Sequence, residues 1–138
     1  AGAVADELGL ERRANLKSLP SEYLAENTIV QVLMPPPDQD LYVACIRSVA
    51  AGSNLIEVLL RDHPERKLVT TTPDKIFRHE PDAGDKVRVM AGDPNTIILG
   101  QCLSVENEEG VVKLIETNKL KLYRLDQLLP YSIPEKDD

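Results

Sequence analysis

"DKVRVMAGDPNTIILGQCLSVENEEGVVKLIETNKLKLYRLDQLLPY" occupies residues 85–131, and its period decides the fold. In "DKVRVMA" (85–91) the apolar positions alternate around Val87 and Val89. Period two is the signature of a strand with one buried face, not of a helix. "GDPN" (92–95) follows, and its Asp, Pro and Asn each favour a turn for a separate physical reason. "TIILGQCLSV" (96–105) reads as the next strand, and "ENEEG" (106–110) as a polar hairpin loop in which Gly110 supplies positive φ. "VVKLIET" (111–117), "KLKLYRL" (119–125) and "DQLLPY" (126–131) complete the set. A phosphate-cradling loop needs a strand, a Gly-rich turn and then a helix N-terminus. Here Gly92 leads into another strand, and no Lys-Ser or Lys-Thr pair follows, which argues against a nucleotide site.

The same rhythm runs through the preceding half. "TIVQVLM" (28–34) alternates around Val30 and Val32. "PPPDQD" (35–40) cannot be a strand interior, because its three prolines donate no ladder hydrogen bonds. "LYVACIRSV" (41–49), "LIEVLLR" (55–61), "RKLVTTT" (66–72) and the end of "PDKIFRH" (73–79) read as further strands, separated by the turns "AAGSN" and "DHPE". The halves align: Val30 and Val32 with Val87 and Val89, Cys45 with Cys102, "SV" 48–49 with "SV" 104–105, "LIEVLL" 55–60 with "VVKLIE" 111–116, and "TPDKI" 72–76 with "RLDQL" 124–128. This is the mark of a duplicated five-strand unit. The expected fold is all-β: two tandem small SH3-like antiparallel barrels, whose partial closure manages exposed sheet edges. The division is 1–24 as an N-terminal tail or short helix, 25–80 as the first barrel, 84–131 as the second and 132–138 as an acidic tail. "HEPDAG" (79–84) joins the barrels and is short enough to favour contact between them.

Composition narrows the function. The 138 residues carry a formal charge of −7, which repels phosphate backbones at long range. Nucleic-acid contact therefore needs a local basic patch. Cys45 and Cys102 form no C-x-x-C pair and sit in apolar runs, as buried thiols of a reduced compartment would. With His63 and His79 the only histidines, a structural zinc site finds no ligand set. Both histidines are expected in solvated loops. No apolar run approaches the ~20 residues that span a membrane. The N-terminal stretch has no signal-peptide core and resembles a cut made within a longer protein. Ser48 and Ser104 have no histidine beside them, and a thiol inside an apolar strand is inert, so no nucleophile stands out. The acids of 106–110 lack the ligand spacing of a calcium loop. An aromatic methyl-lysine cage is poorly served by one Phe, four Tyr and no Trp spread over two barrels.

What remains is docking. Lys113, Lys119, Lys121 and Arg124 cluster in the second barrel, with Arg88 expected on a nearby strand. By strand alternation Lys119, Lys121 and Tyr123 share one face, and Leu120, Leu122 and Arg124 the other. The lysines are expected to face solvent as a small patch for RNA, DNA or an acidic protein surface.

"GDKVRVMAG…GQCLSVENEEGVVKLIETNKLKLYRLDQL", with its Gly-Asp start, V-x-V strand, glycine and hairpin, resembles a KOW module. Together with "IRSVAAGSNLIEVLLRDHPERKLVTTTPDKIFRHEP" it is similar to the C-terminal KOW pair of the DSIF large-subunit family, the eukaryotic relatives of NusG. "LSVENEEGVVKL" is the most telling piece. The resemblance implies a non-enzymatic nuclear module of a transcription elongation factor. It would dock on the RNA polymerase II machinery, nascent RNA or associated factors, with weak contact to RNA or DNA, no cofactor and no small-molecule substrate. Related tandem barrels occur in the spliceosomal G-patch/KOW protein and the Kin-type zinc-finger protein, which stand as the alternative.

Overall fold

The alternation is realised as two five-stranded antiparallel sheets in the computed structural model, which describes residues 17–90, 92–93 and 95–132. The first sheet contains β1 (Ile29–Leu33), β2 (Leu41–Val49), β3 (Ile56–Leu60), β4 (Leu68–Thr71) and β5 (Ile76–Arg78). The second contains β6 (Lys86–Val89), β7 (Leu99–Glu106), β8 (Glu109–Leu114), β9 (Leu120–Arg124) and β10 (Leu128–Pro130). Helix among the described residues is limited to single 3-10 turns at Ser21–Tyr23, Pro73–Lys75 and Leu125–Gln127. The order β4-β3-β2-β1-β5 recurs as β9-β8-β7-β6-β10, so the two sheets share one topology. This is the all-β architecture of small SH3-like barrels.

Each sheet also carries the same irregularity. A bulge lies between Ile46 and Ser48 of β2, and another between Cys102 and Ser104 of β7. Bulges bend a strand and sharpen its twist, which lets a short sheet curl over its core. The paired registers correct the alignment of the halves. Val30 faces Ala44 and Val87 faces Gly100, so Ala44 corresponds to Gly100 and Ile46 to Cys102. Cys45 therefore does not correspond to Cys102. Val58 faces Ile46 and Val112 faces Cys102, which shifts the expected 55–60 match by two residues. Similar side chains in neighbouring positions misled the comparison, whereas register follows burial parity.

The hairpin at 106–110 also differs in detail. Positive φ falls on Asn107 and Glu108, at 54° and 62°, the pattern of a type I′ turn. Gly110 lies inside β8 instead, packed beside Leu128 and Cys102. A better-placed glycine opens β6. Gly84 has φ +96°, and Asp85 accepts the Asp82 N–H at 2.8 Å through its carboxylate. Only glycine adopts that backbone region without strain.

The first core gathers Val30, Val32, Ala44, Ile46, Val58, Leu60 and Ile76. The second gathers Val87, Val89, Cys102, Val112, Leu125 and Leu128. Residues 17–24, expected as part of a tail, belong to the first core. Leu19 and Tyr23 are buried in it, Ser18 bridges to Phe77, and the Arg78 N–H donates to the Lys17 carbonyl at 2.8 Å. The part of the expected N-terminal tail or short helix before residue 17 and the acidic tail beyond Ser132 lie outside the described residues.

The two sheets are fastened to each other. Leu129 of β10 is 1% exposed and joins the first core, not the second, with Met90 packed against the same cluster. Thr28 bridges to Tyr131, the Ser132 N–H donates to the Asn27 carbonyl at 2.8 Å, and an Arg78 guanidinium nitrogen donates to the Leu125 carbonyl at 3.1 Å. The expected contact across "HEPDAG" is therefore made by buried side chains and backbone alike.

Candidate docking surface on the second sheet

The candidate residues divide by strand and face. Val112 is buried and sits opposite Lys121, while Val111 sits opposite Leu122 and Lys113 opposite Leu120. Lys121 and Tyr123 thus lie on the face that carries the core, and Lys119 follows them by alternation. Leu120, Leu122 and Arg124 share the outer face with Val111 and Lys113. The alternation is as the sequence implies, but both faces are open. Leu120 and Leu122 are 61% and 60% exposed, and Lys119 and Lys121 are exposed as well. The reason is position: β9 is the outermost strand of its sheet, and from β9 only Tyr123 packs against the core.

Arg124 stands at the end of this strand with its charge already engaged. Its Nε lies 3.1 Å from the Asp126 carboxylate, both side chains well exposed. An exposed pair of this kind is worth about 0–1 kcal/mol. Arg88 is elsewhere. It lies on β6, opposite Leu129, with its guanidinium 4.9 Å from the centre of the Tyr23 ring. A cation over an aromatic face is attracted by the ring quadrupole, so Arg88 helps join the sheets instead of extending the basic patch. The structure brings Lys113, Lys119, Lys121 and Arg124 to one strand pair and leaves Arg88 at the junction.

Sequence reasoning missed the apolar part of this surface. Leu103, at the β7 bulge, and Ile115, after β8, are also exposed. The available signal was "KLKLYR" itself, in which lysines alternate with leucines on the last hairpin of the sheet. A charged edge of this sort discourages indiscriminate strand pairing.

A second feature lies between the sheets. A cleft of about 950 Å³ is lined by Lys17, Gln31, Arg78, His79 and Glu80 on one side and by Asn107–Glu109 and Arg124–Asp126 on the other. Its cations and carboxylates are interspersed, so it offers no single-sign field to an anion. His79 lines this cleft, and His63 packs against Tyr42 in a tilted arrangement with ring centres 5.0 Å apart. Neither is a simple solvated loop residue. Tyr42 also donates to the Asp38 carboxylate; burial, then that hydrogen bond, push its hydroxyl above the ordinary range. Tyr42 is thus engaged by His63 and Asp38.

The cysteines are both buried, Cys45 opposite Ile29 of β1 and Cys102 in the second core. Burial pushes the Cys102 thiol up, with the nearby Asp85 carboxylate adding to the effect. Such a thiol is a poor nucleophile. No described helix is long and apolar enough to cross a membrane, and no group of three or more His, Cys, Asp or Glu among the described residues could hold a metal ion.

No curated protein matches the chain. Residues 80–129, which span β6 to β9 and all but the last residue of β10, match the family model of the seventh KOW domain of transcription elongation factor SPT5. The second sheet thus resembles the seventh KOW domain of SPT5.

Proposed function

We propose that the chain is a non-enzymatic docking segment of a nuclear transcription elongation factor that works with RNA polymerase II. The observation that carries this reading is the match of residues 80–129 to the SPT5 seventh KOW domain. The segment consists of two KOW units, 25–80 and 84–131, the first sharing the strand order of the second. Lys113, Lys119, Lys121 and Arg124 form the contact surface, and association with RNA or DNA is weak and local, because the chain as a whole is acidic. Such a module gains from being one of several on a chain, since a weak contact is strengthened by effective concentration.

The test is affinity purification from nuclear extract with and without nuclease. Recovery of RNA polymerase II from both samples supports docking on the elongation machinery. Spliceosomal proteins without polymerase point to the splicing-type tandem. Loss of all partners on nuclease treatment makes nucleic acid the ligand.

A further inference from the structure

We propose that the outer edge of β9, an outermost strand of the second sheet among the described residues, captures an extended acidic peptide as a sixth strand. The inference deepens the docking reading of that sheet and rests on it, but not on which complex the chain joins.

Three observations converge on this edge. The first is the backbone. The Leu114 N–H donates to the Lys119 carbonyl at 2.9 Å, and the Leu125 N–H donates to the Glu108 carbonyl at 2.9 Å. In an antiparallel pair, bonded positions alternate. Lys119, Lys121 and Tyr123 therefore spend their main-chain groups on β8, while those of Leu120 and Leu122 point away from the sheet. β9 is an outermost strand, so these groups form a template for one more strand.

The second is the side-chain pattern. Leu120 and Leu122 stand exposed on the outer face, and Lys119 and Lys121 on the other. An added strand places alternate residues beside each row. Apolar residues fit next to the leucines, and carboxylates fit next to the lysines, with Lys113 beside Leu120 adding positive charge on the outer face.

The third is charge, which selects among occupants. A second copy of the chain would set lysines of β9 beside lysines of its mate, and like charges across a strand pair are destabilising. A strand alternating carboxylates with β-branched residues satisfies both rows at once. A nucleic acid would meet Lys119 and Lys121 but would leave the leucines and the outward backbone groups of β9 unused. The edge thus fits an acidic peptide of alternating pattern better than it fits RNA or itself.

The probe is a synthetic eight-residue peptide alternating Glu and Val, tested on the 138-residue chain by fluorescence anisotropy and by amide hydrogen exchange. Binding is expected, with slowed exchange at the Leu120 and Leu122 amides. Methylating the peptide's alternate backbone nitrogens on the β9-facing side should abolish binding, because the charges remain but the ladder cannot form. The double variant Lys119→Glu with Lys121→Glu should weaken binding about tenfold, from two cross-strand pairs turned from attractive to repulsive. Both positions are exposed, so an unchanged urea midpoint is expected for the variant. The idea is overturned if the peptide does not bind, or if the methylated peptide binds equally well. It is also overturned if a single-stranded RNA oligonucleotide displaces the peptide while leaving Leu120 and Leu122 exchange fast. Because polymerase is absent from the assay, its outcome is separate from that of the nuclear-extract experiment.

Discussion

Leu129 offers the sharpest test of how the two units work together. It belongs by sequence to β10 of the second sheet, yet its side chain is fully enclosed in the core of the first. Leu129→Ala removes that side chain from the first core without touching a first-sheet strand. The transfer loss for a buried leucine is about 2 kcal/mol. The unfilled space adds to it, and buried Leu→Ala changes cost about 2–5 kcal/mol in total. A value near 3 kcal/mol is expected here, since the hole is bounded by strands that hold its shape. Against a total stability of about 5–15 kcal/mol that is a large fraction. The assay is urea unfolding followed by pulsed alkylation and mass spectrometry. The two buried cysteines serve as separate reporters, Cys45 on β2 and Cys102 on β7. If Leu129 ties the units into one cooperative body, both thiols become reactive over a single transition, shifted to lower urea in the variant. A shift in Cys102 reactivity alone, or a change below about 1 kcal/mol, would refute the reasoning, because buried leucines that bridge a junction do not behave so.

Other outcomes follow from the same structure. Gly100→Ala places a Cβ 2.5 Å from Val112 Cγ1 and 2.8 Å from the Lys113 carbonyl oxygen, and so should destabilise the chain by about 1–3 kcal/mol in thermal or urea melts. Ala44 occupies the corresponding position of the first sheet, where a methyl is already accommodated. Native Cys45 and Cys102 should resist iodoacetamide for hours at neutral pH, and rapid labelling of either would contradict its burial. The raised Cys102 thiol contributes stability that is complete below the free-thiol pKa, about 8.5, and is lost as pH rises through the folded value. The urea midpoint should therefore fall between about pH 8 and 10, less so in Cys102→Ala; equal slopes would dismiss the thiol as the cause. Arg88→Ala removes the cation from the Tyr23 ring and should cost about 0.5–2 kcal/mol while leaving binding at β9 unchanged, as a titration of the Glu-Val peptide can check.

How much of this was readable in advance depends on the range of the forces involved. Strand positions were legible because period two is written locally. Val30 and Val32, and Val87 and Val89, announce β1 and β6, and both 3-10 turns that precede β5 and β10 lie where "TPDKI" and "RLDQL" were aligned. The duplication was legible for the same reason, since two copies of one unit repeat one local pattern. Register within the copies was not, because a single bulged residue moves every later partner, and nothing in "ACIRSV" or "QCLSVE" marks the bulge. The basic strand of the candidate surface was visible as "KLKLYR"; its place as the outermost strand of its sheet was not.

Sequence alone determined that this chain is all-β, twofold repeated, acidic overall and basic along one hairpin, since each of these depends on residue type and spacing. Tertiary structure decided the rest. It carried Leu129 into the neighbouring core, turned Arg88 onto Tyr23, drew Leu19 and Tyr23 out of a supposed tail, and left Leu120 and Leu122 in solvent. Whether an apolar side chain is core or contact depends on what lies across from it. That neighbour is set by sheet order and by the packing of one unit on the other, which no local pattern encodes.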